Sequence, residues 1–239
     1  MRRRHLLATA ALGAASLAAP RLAAAQGTPG RRLLRFVPQA DLALLDPIHS
    51  VAFVTRNHAM MVYDTLYGWD AELRARPQMA EGHTVEEDGR LWSIRLREGL
   101  RFHDGEPVLA RDCAASIRRW ATRDAFGQAL MAATEEVAAA DDRTIRFRLR
   151  KPFPLLPDAL AKIGTHLAVM MPERHASLPS SQAVPEIVGS GPYRFVANER
   201  VPGSRNVYAR NEAYVPRQEP ASYMAGGKVA HFDRVEWIT

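Results

Sequence analysis

The chain has 239 residues, 47% of them hydrophobic and 24% charged, which excludes a disordered protein and allows one large domain or two modest ones. Four of the 32 basic residues, and none of the 26 acidic ones, lie in the first 25 positions, so the net charge of +6 falls to +2 beyond them. Such a balance gives no support for a nucleic-acid-binding protein, which usually carries a basic patch. The single cysteine, Cys113, excludes an intramolecular disulfide and a multi-cysteine metal site.

Residues 1–25 have the composition of an export signal. Three arginines at positions 2–4 are followed by an apolar run over residues 6–19, and three alanines precede Gln26, as signal cleavage requires. The apolar run is shorter than the about 20 residues that span a bilayer. Two of the arginines, followed by one further residue and then two leucines, also fit a twin-arginine signal. We predict a periplasmic protein, with the Sec and Tat routes both open.

Strict alternation of apolar and polar residues predicts half-buried strands at two places. Trp92, Ile94 and Leu96 share one face of the first strand, and the second strand, residues 144–150, repeats the pattern. In chain order the predicted strands are residues 32–37, 91–97, 136–139, 144–150, 167–171, 192–196, 206–210 and 232–239, and the predicted helices are residues 55–66, 109–122 and 154–163, followed by a helical turn opened by Pro172.

The predicted helix 109–122 carries an apolar stripe. Cys113, Ile117 and Trp120 lie at positions i, i+4 and i+7 and therefore share one face. We expect Cys113 to be a buried structural thiol on this stripe. Strands and helices that follow each other without regular alternation predict an α+β or irregular α/β fold.

Residues that carry enzyme chemistry are scattered. No histidine pair has the spacing and the glutamate of a zinc protease. Ser190 lies between two glycines but lacks the wider spacing of a nucleophile elbow, since Val188 and Pro192 occupy the positions where glycines belong. We predict no catalytic residue, no metal site and no cofactor.

Eight short motifs follow each other in a distinctive order. The run Leu-Arg-Glu-Gly-Leu-Arg-Phe-His-Asp-Gly-Glu-Pro, residues 96–107, is the most specific of them. Together they resemble the family 5 extracellular solute-binding proteins, the dipeptide, oligopeptide and nickel receptors of ABC importers. The motifs occupy residues 45–47, 63–67, 77–81, 87–92, 96–105, 141–144, 189–193 and 210–214.

The resemblance implies a periplasmic-binding-protein-like fold, in which two lobes close on a ligand and an α/β subdomain is inserted into the first lobe. It assigns residues 26–50 and 181–239 to the main lobe and residues 51–180 to the inserted subdomain. Members of the family are much longer than this chain. The second lobe is therefore expected to be missing from a truncated chain, and the 239 residues alone are expected to bind solute weakly.

The resemblance also implies ligand contacts from three segments. The first follows Leu-Asp-Pro and contains His49, Ser50 and Phe53, the second contains Phe126, and the third contains His166. Each residue also has a structural interpretation: His49 as an exposed side chain, Phe126 as a core residue and His166 as a capping polar group.

Two motifs are rich in turn-forming residues. His103 and Asp104 are expected to support a turn, because the Gly and Pro after them bend the chain. By resemblance, the second motif is where the chain re-enters the main lobe. Its two glycines permit close backbone approach, which is typical of a hinge or packing role. Its residues are Gly189, Ser190, Gly191, Pro192 and Tyr193.

The function implied by the resemblance is that of the substrate-binding component of an ABC importer. Such a protein captures a peptide or a related small solute and delivers it to the permease transmembrane subunits; the full-length protein is expected to be monomeric. A secreted enzyme on a similar scaffold, or a stand-alone interaction module, is the alternative. A clustered nucleophile and base would favour the enzyme, and the sequence shows none. The ligand stays open among peptides, nickel complexes, opines and sugars.

Overall fold

The computed structural model describes residues 32–239, and the predicted export signal lies outside them. The strands of this part form two four-stranded sheets and one two-stranded sheet. The elements in chain order are β1 (Leu33–Phe36), α1 (Phe53–Val62), β2 (Tyr67–Trp69), β3 (Ala75–Pro77), β4 (Ala80–Glu86), β5 (Leu91–Leu96), α2 (Ala110–Ala121), α3 (Ala125–Ala133), β6 (Thr134–Ala139), β7 (Thr144–Leu149), α4 (Leu156–Ala161), α5 (Glu173–Ala176), β8 (Tyr193–Phe195), β9 (Arg205–Arg210) and β10 (Arg234–Ile238).

The first sheet joins the two ends of the described chain in the order β1-β10-β9-β8. β1 pairs with β10 in parallel, so that Phe36 lies opposite Trp237, and the other neighbours are antiparallel. The Trp237 ring contacts Phe36 edge-on at 5.6 Å between centroids and Tyr208 at 5.1 Å. The contact with Phe36 joins strands that are about 200 residues apart in sequence.

The second sheet is antiparallel throughout, in the order β4-β5-β7-β6. The alternation predicted for its two central strands is confirmed, because Ile94 of β5 and Phe147 of β7 are fully buried while Arg95 and Arg146 are exposed. α2 packs on β6 and β7 and covers the apolar face.

The predicted apolar stripe of α2 is confirmed. Cys113, Ile117 and Trp120 are completely buried. α3 crosses close to the end of α2, since a methyl group on Gly127 would lie 2.7 Å from the Cα of Ala121 and 3.0 Å from the Trp120 ring. Only glycine permits this approach.

The structure corrects two predicted elements. Residues 167–171 are buried but form no strand. The segment pairs with the chain beside it at one residue only, through the bridge between Thr65 and Val169. The helix predicted for residues 55–66 is α1, and it ends earlier than predicted, at Val62. The Val62 carbonyl accepts a hydrogen bond from the Gly191 amide at 2.8 Å. The small hairpin β2–β3, the edge strand β4 and helix α3 were not predicted.

The strands of the first sheet lie outside residues 51–180, and those of the other two sheets lie inside them. α1, which also belongs to residues 51–180, packs on the first sheet: the His58 ring faces Phe195 at 5.3 Å and its Nδ1 is 3.0 Å from the Tyr208 hydroxyl. The assignment of the chain to a main lobe and an inserted subdomain therefore stays a prediction.

Candidate functional site

A buried ion pair anchors the loop that leads into α1. Asp46 and Arg119 are 2% and 1% exposed, and their Oδ2 and Nη2 atoms lie 2.7 Å apart. Asp46 Oδ1 also accepts a hydrogen bond from the Ile48 amide at 2.9 Å, which forms a tight turn. The turn fixes the position of the two residues that follow it, His49 and Ser50.

His49, Ser50 and Phe53 lie together at the start of α1. Ser50 Oγ accepts a hydrogen bond from the Ala52 amide at 3.2 Å, so the serine organises the turn before the helix. The Phe53 ring is 63% exposed, which is unusual for phenylalanine. His49 is partly buried, and its Nδ1 has no hydrogen-bond partner within residues 32–239.

Asp124, the N-cap of α3, links the segment that contains Phe126 to the segment that contains His166. Asp124 Oδ1 accepts hydrogen bonds from the amides of Phe126 (2.9 Å) and Gly127 (3.0 Å). Asp124 Oδ2 accepts a hydrogen bond from the Thr165 hydroxyl at 3.0 Å, so the segment before His166 is tied to the start of α3. The carboxylate thus joins two of the three predicted ligand segments.

The environments of Phe126 and His166 differ. The Phe126 ring packs against Phe153 at 6.0 Å and is partly buried. The His166 carbonyl accepts a hydrogen bond from the Trp120 indole at 3.0 Å, and the residue is partly buried. Burial lowers the pKa of His166, and the nearby Asp124 carboxylate only partly opposes this effect. The ring therefore presents a neutral imidazole at pH 7.

One arginine connects the two groups of predicted residues. The guanidinium of Arg56, on α1, lies 4.4 Å above the Phe53 ring and donates from Nη1 to the Ile163 carbonyl at 3.3 Å. Ile163 is three residues before His166. One surface is therefore formed by Phe53, Arg56 and residues 163–166, and we call it the candidate surface. The ligand roles of its residues stay predictions.

The predicted hinge residues contact the motif that contains His103. The His103 amide donates to the Gly189 carbonyl at 2.8 Å, and His103 Nε2 lies 3.0 Å from the Gly191 carbonyl oxygen. Burial lowers the pKa of His103 to about 4, so the ring is neutral and Nε2 donates this hydrogen bond. Two motifs that are 86 residues apart thus meet through one backbone and one side-chain hydrogen bond, which is consistent with a supporting role for His103.

The re-entry motif is also packed tightly against α1. A methyl group on Gly191 would lie 2.7 Å from the carbonyl carbon of Val62, and Gly189 approaches the same peptide group even more closely. Pro192 accepts a hydrogen bond from the Asn211 amide at 2.9 Å, and the Tyr193 hydroxyl donates to the Phe232 carbonyl at 3.2 Å.

The other reactive groups of residues 32–239 lie apart from this surface. In residues 32–239, no three His, Cys, Asp or Glu side chains are placed to hold a metal ion. Burial raises the pKa of the Cys113 thiol well above its usual range. Ser190 Oγ is buried and has no hydrogen-bond partner within the same residues. No helix there is long and apolar enough to cross a membrane.

Residues 74–239 match the family described as bacterial extracellular solute-binding proteins, family 5. The chain belongs to this family. It is 39% identical over 235 residues to the probable peptide ABC transporter periplasmic-binding protein y4tO of Sinorhizobium fredii, covering 98% of this chain and 44% of that protein. It is 27% identical over 155 residues to the glutathione-binding protein GsiB of Pectobacterium atrosepticum, covering 64% of this chain and 30% of that one.

Solved structures show the same fold. NikA from Brucella suis in complex with Fe(III)-EDTA aligns with a TM-score of 0.69 at 20% identity, over 86% of this chain and 39% of that one. Haemophilus influenzae OppA complexed with the peptide RPPGFSPFR aligns with a TM-score of 0.66 at 18% identity, over 87% and 42%. The chain spans less than half the length of each relative and solved structure described above.

A polar stripe on α2 that was not predicted from the sequence holds the segment of residues 171–182 in place. Asp112 accepts a hydrogen bond from the Glu173 amide, Ser116 Oγ donates to the Met171 carbonyl, and Arg119 donates to the carbonyls of three later residues. All these backbone groups lie within residues 171–182. The spacing i, i+4, i+7 of the three polar side chains was the available signal, since it places them on one helix face.

Proposed function

We propose that this family 5 protein is the substrate-binding component of an ABC importer, which captures a solute in the periplasm and delivers it to the permease transmembrane subunits. The family match over residues 74–239 carries the proposal. Binding is non-covalent, and specificity comes from burial of the solute between closing lobes. The receptor acts as a monomer and has no nucleic-acid partner.

The proposed solute is a short peptide. Both relatives described above are named for peptide substrates, since glutathione is itself a tripeptide. The candidate surface suits such a solute because it offers an exposed aromatic ring at Phe53, a cation at Arg56 and a neutral imidazole at His166. His49, Ser50 and Phe126 complete the proposed contacts, and residues 189–193 form the lobe junction.

We expect the whole gene product, purified from the periplasm without denaturation, to carry bound short peptides. Native mass spectrometry followed by peptide sequencing measures the occupancy. Replacing the exposed Phe53 with alanine should lower it, because the ligand loses an aromatic contact. Val85→Ala is the matched control, since Val85 is also exposed but lies on the edge strand β4 of the other sheet. Recovery of only nickel complexes or sugars would contradict the peptide assignment, and an empty protein would contradict solute capture.

We also propose export of the chain by its N-terminal segment. N-terminal sequencing of periplasmic protein should begin at or near Gln26, because the small-residue cleavage site ends at residue 25. Changing Arg3 and Arg4 together to lysine should block export only on the Tat route. An intact form that begins at Met1 and is found only in the cytosol would refute export.

A further inference from the structure

Arg56 is held rigidly on the candidate surface. It lies one turn into α1, where its guanidinium stacks on the exposed Phe53 ring and is tethered through Nη1 to the Ile163 carbonyl. Stacking on an aromatic face leaves the edges of the guanidinium plane free for hydrogen bonds. The side chain therefore presents a fixed cation at a defined position.

No carboxylate neutralises this cation. Arg56 takes part in no ion pair within residues 32–239, and the sequence before residue 32 contains no aspartate or glutamate. Its Nε is buried without a hydrogen-bond partner, and Nη2 makes no hydrogen bond to the described residues. The buried Nε is closed to a solute and Nη1 donates to the Ile163 carbonyl, so Nη2 is the group left for a carboxylate, through one charge-assisted hydrogen bond.

The start of α1 adds to the unbalanced positive charge. Its N-cap is Ala52, which has no capping side chain, and its first turn contains no acidic residue. The start of α3 differs, because there the Asp124 side chain accepts hydrogen bonds from two amides. The positive end of the α1 dipole thus lies beside Arg56, and within residues 32–239 no acidic side chain caps the helix or pairs with the arginine.

We propose that Arg56, stacked on Phe53, binds a carboxylate group of the captured solute. The proposal rests on the proposed function, because the carboxylate belongs to the transported molecule; for a peptide it is the C-terminal carboxylate. The pairing would provide the missing counter-charge for the guanidinium and for the start of α1. Phe53 and the Ile163 carbonyl act as positioning groups, since they keep Nη2 of the guanidinium in place before the solute arrives.

The test compares matched solutes on the whole gene product. The probes are a pool of di- to pentapeptides with free C-termini, the same pool as C-terminal amides, and a set of non-peptide carboxylates that includes succinate and citrate. We expect the amides to bind about 10- to 100-fold more weakly than the free acids, because one charge-assisted hydrogen bond is lost. In Arg56→Gln this difference should disappear, and Arg56→Lys should restore only part of it, because an ammonium keeps the charge but lacks the planar group that stacks on Phe53.

Arg146→Gln is the matched control, since Arg146 is exposed on β7 and forms no ion pair within the described residues; it should keep the wild-type preference. Circular dichroism and thermal unfolding of each variant establish that it is folded. Equal binding of acids and amides by the wild type would overturn the carboxylate site and leave peptide capture intact. Arg56-dependent binding of non-peptide carboxylates alone would support the site and contradict the peptide assignment. Binding of no probe would contradict both.

Discussion

Replacing Trp120 with alanine is expected to lower the free energy of unfolding by about 3–5 kcal/mol. The side chain is completely buried between α2 and α3, so its removal leaves a cavity against Gly127. The His166 carbonyl would also lose the indole hydrogen bond of 3.0 Å. Urea denaturation followed by circular dichroism measures the change.

The variant Trp120→Phe tests the indole hydrogen bond with a smaller loss of volume. It keeps one six-membered ring and removes the N–H donor together with the smaller ring of the indole, so we expect a smaller loss, about 1–2 kcal/mol. A loss below roughly 1 kcal/mol for the alanine variant would show that the α2 stripe is not buried in solution.

Replacing Arg119 with methionine is expected to cost about 3–5 kcal/mol, because it leaves the Asp46 carboxylate buried without its counter-ion. Both side chains are almost fully inaccessible, and Arg119 also donates to the carbonyls of His175, Leu178 and Gln182. The same variant should loosen the turn before α1, and we therefore expect weaker solute binding as well. Thermal and urea unfolding measure the first effect, and titration with peptide measures the second.

A double variant tests the coupling of the pair. Adding Asp46→Asn to Arg119→Met should restore part of the lost stability, because the uncompensated charge is removed. Arg118→Met is the control on the same helix; Arg118 is exposed and donates to the Val137 carbonyl, so its loss should cost less than about 1 kcal/mol. Strict additivity of the two single changes at positions 46 and 119 would contradict a buried ion pair.

The sequence by itself determined the elements whose pattern is local. β5 and β7 could be predicted because alternation at every second residue separates a buried face from an exposed one. The stripe of α2 was equally clear, and the order of the motifs identified the family. In these segments the burial of each side chain follows from its position in a repeating backbone geometry, so no knowledge of distant contacts is needed.

Only the tertiary structure decided the features that depend on contacts distant in sequence. Residues 167–171 have the composition of a strand, but a strand needs a partner along its length, and residue 65 offers only one pair. The end of α1 depends on Gly191, whose amide donates a hydrogen bond to the carbonyl of Val62, the last residue of the helix.

The same distinction applies to the candidate site. Resemblance predicted Phe53 and His166 as separate ligand contacts, and nothing in the sequence connects them. The structure joins their segments through Arg56, whose cation has no acidic partner because the fold places every described carboxylate elsewhere. Whether an arginine is neutralised depends on which side chains folding brings within a few ångströms, and sequence spacing does not determine that distance.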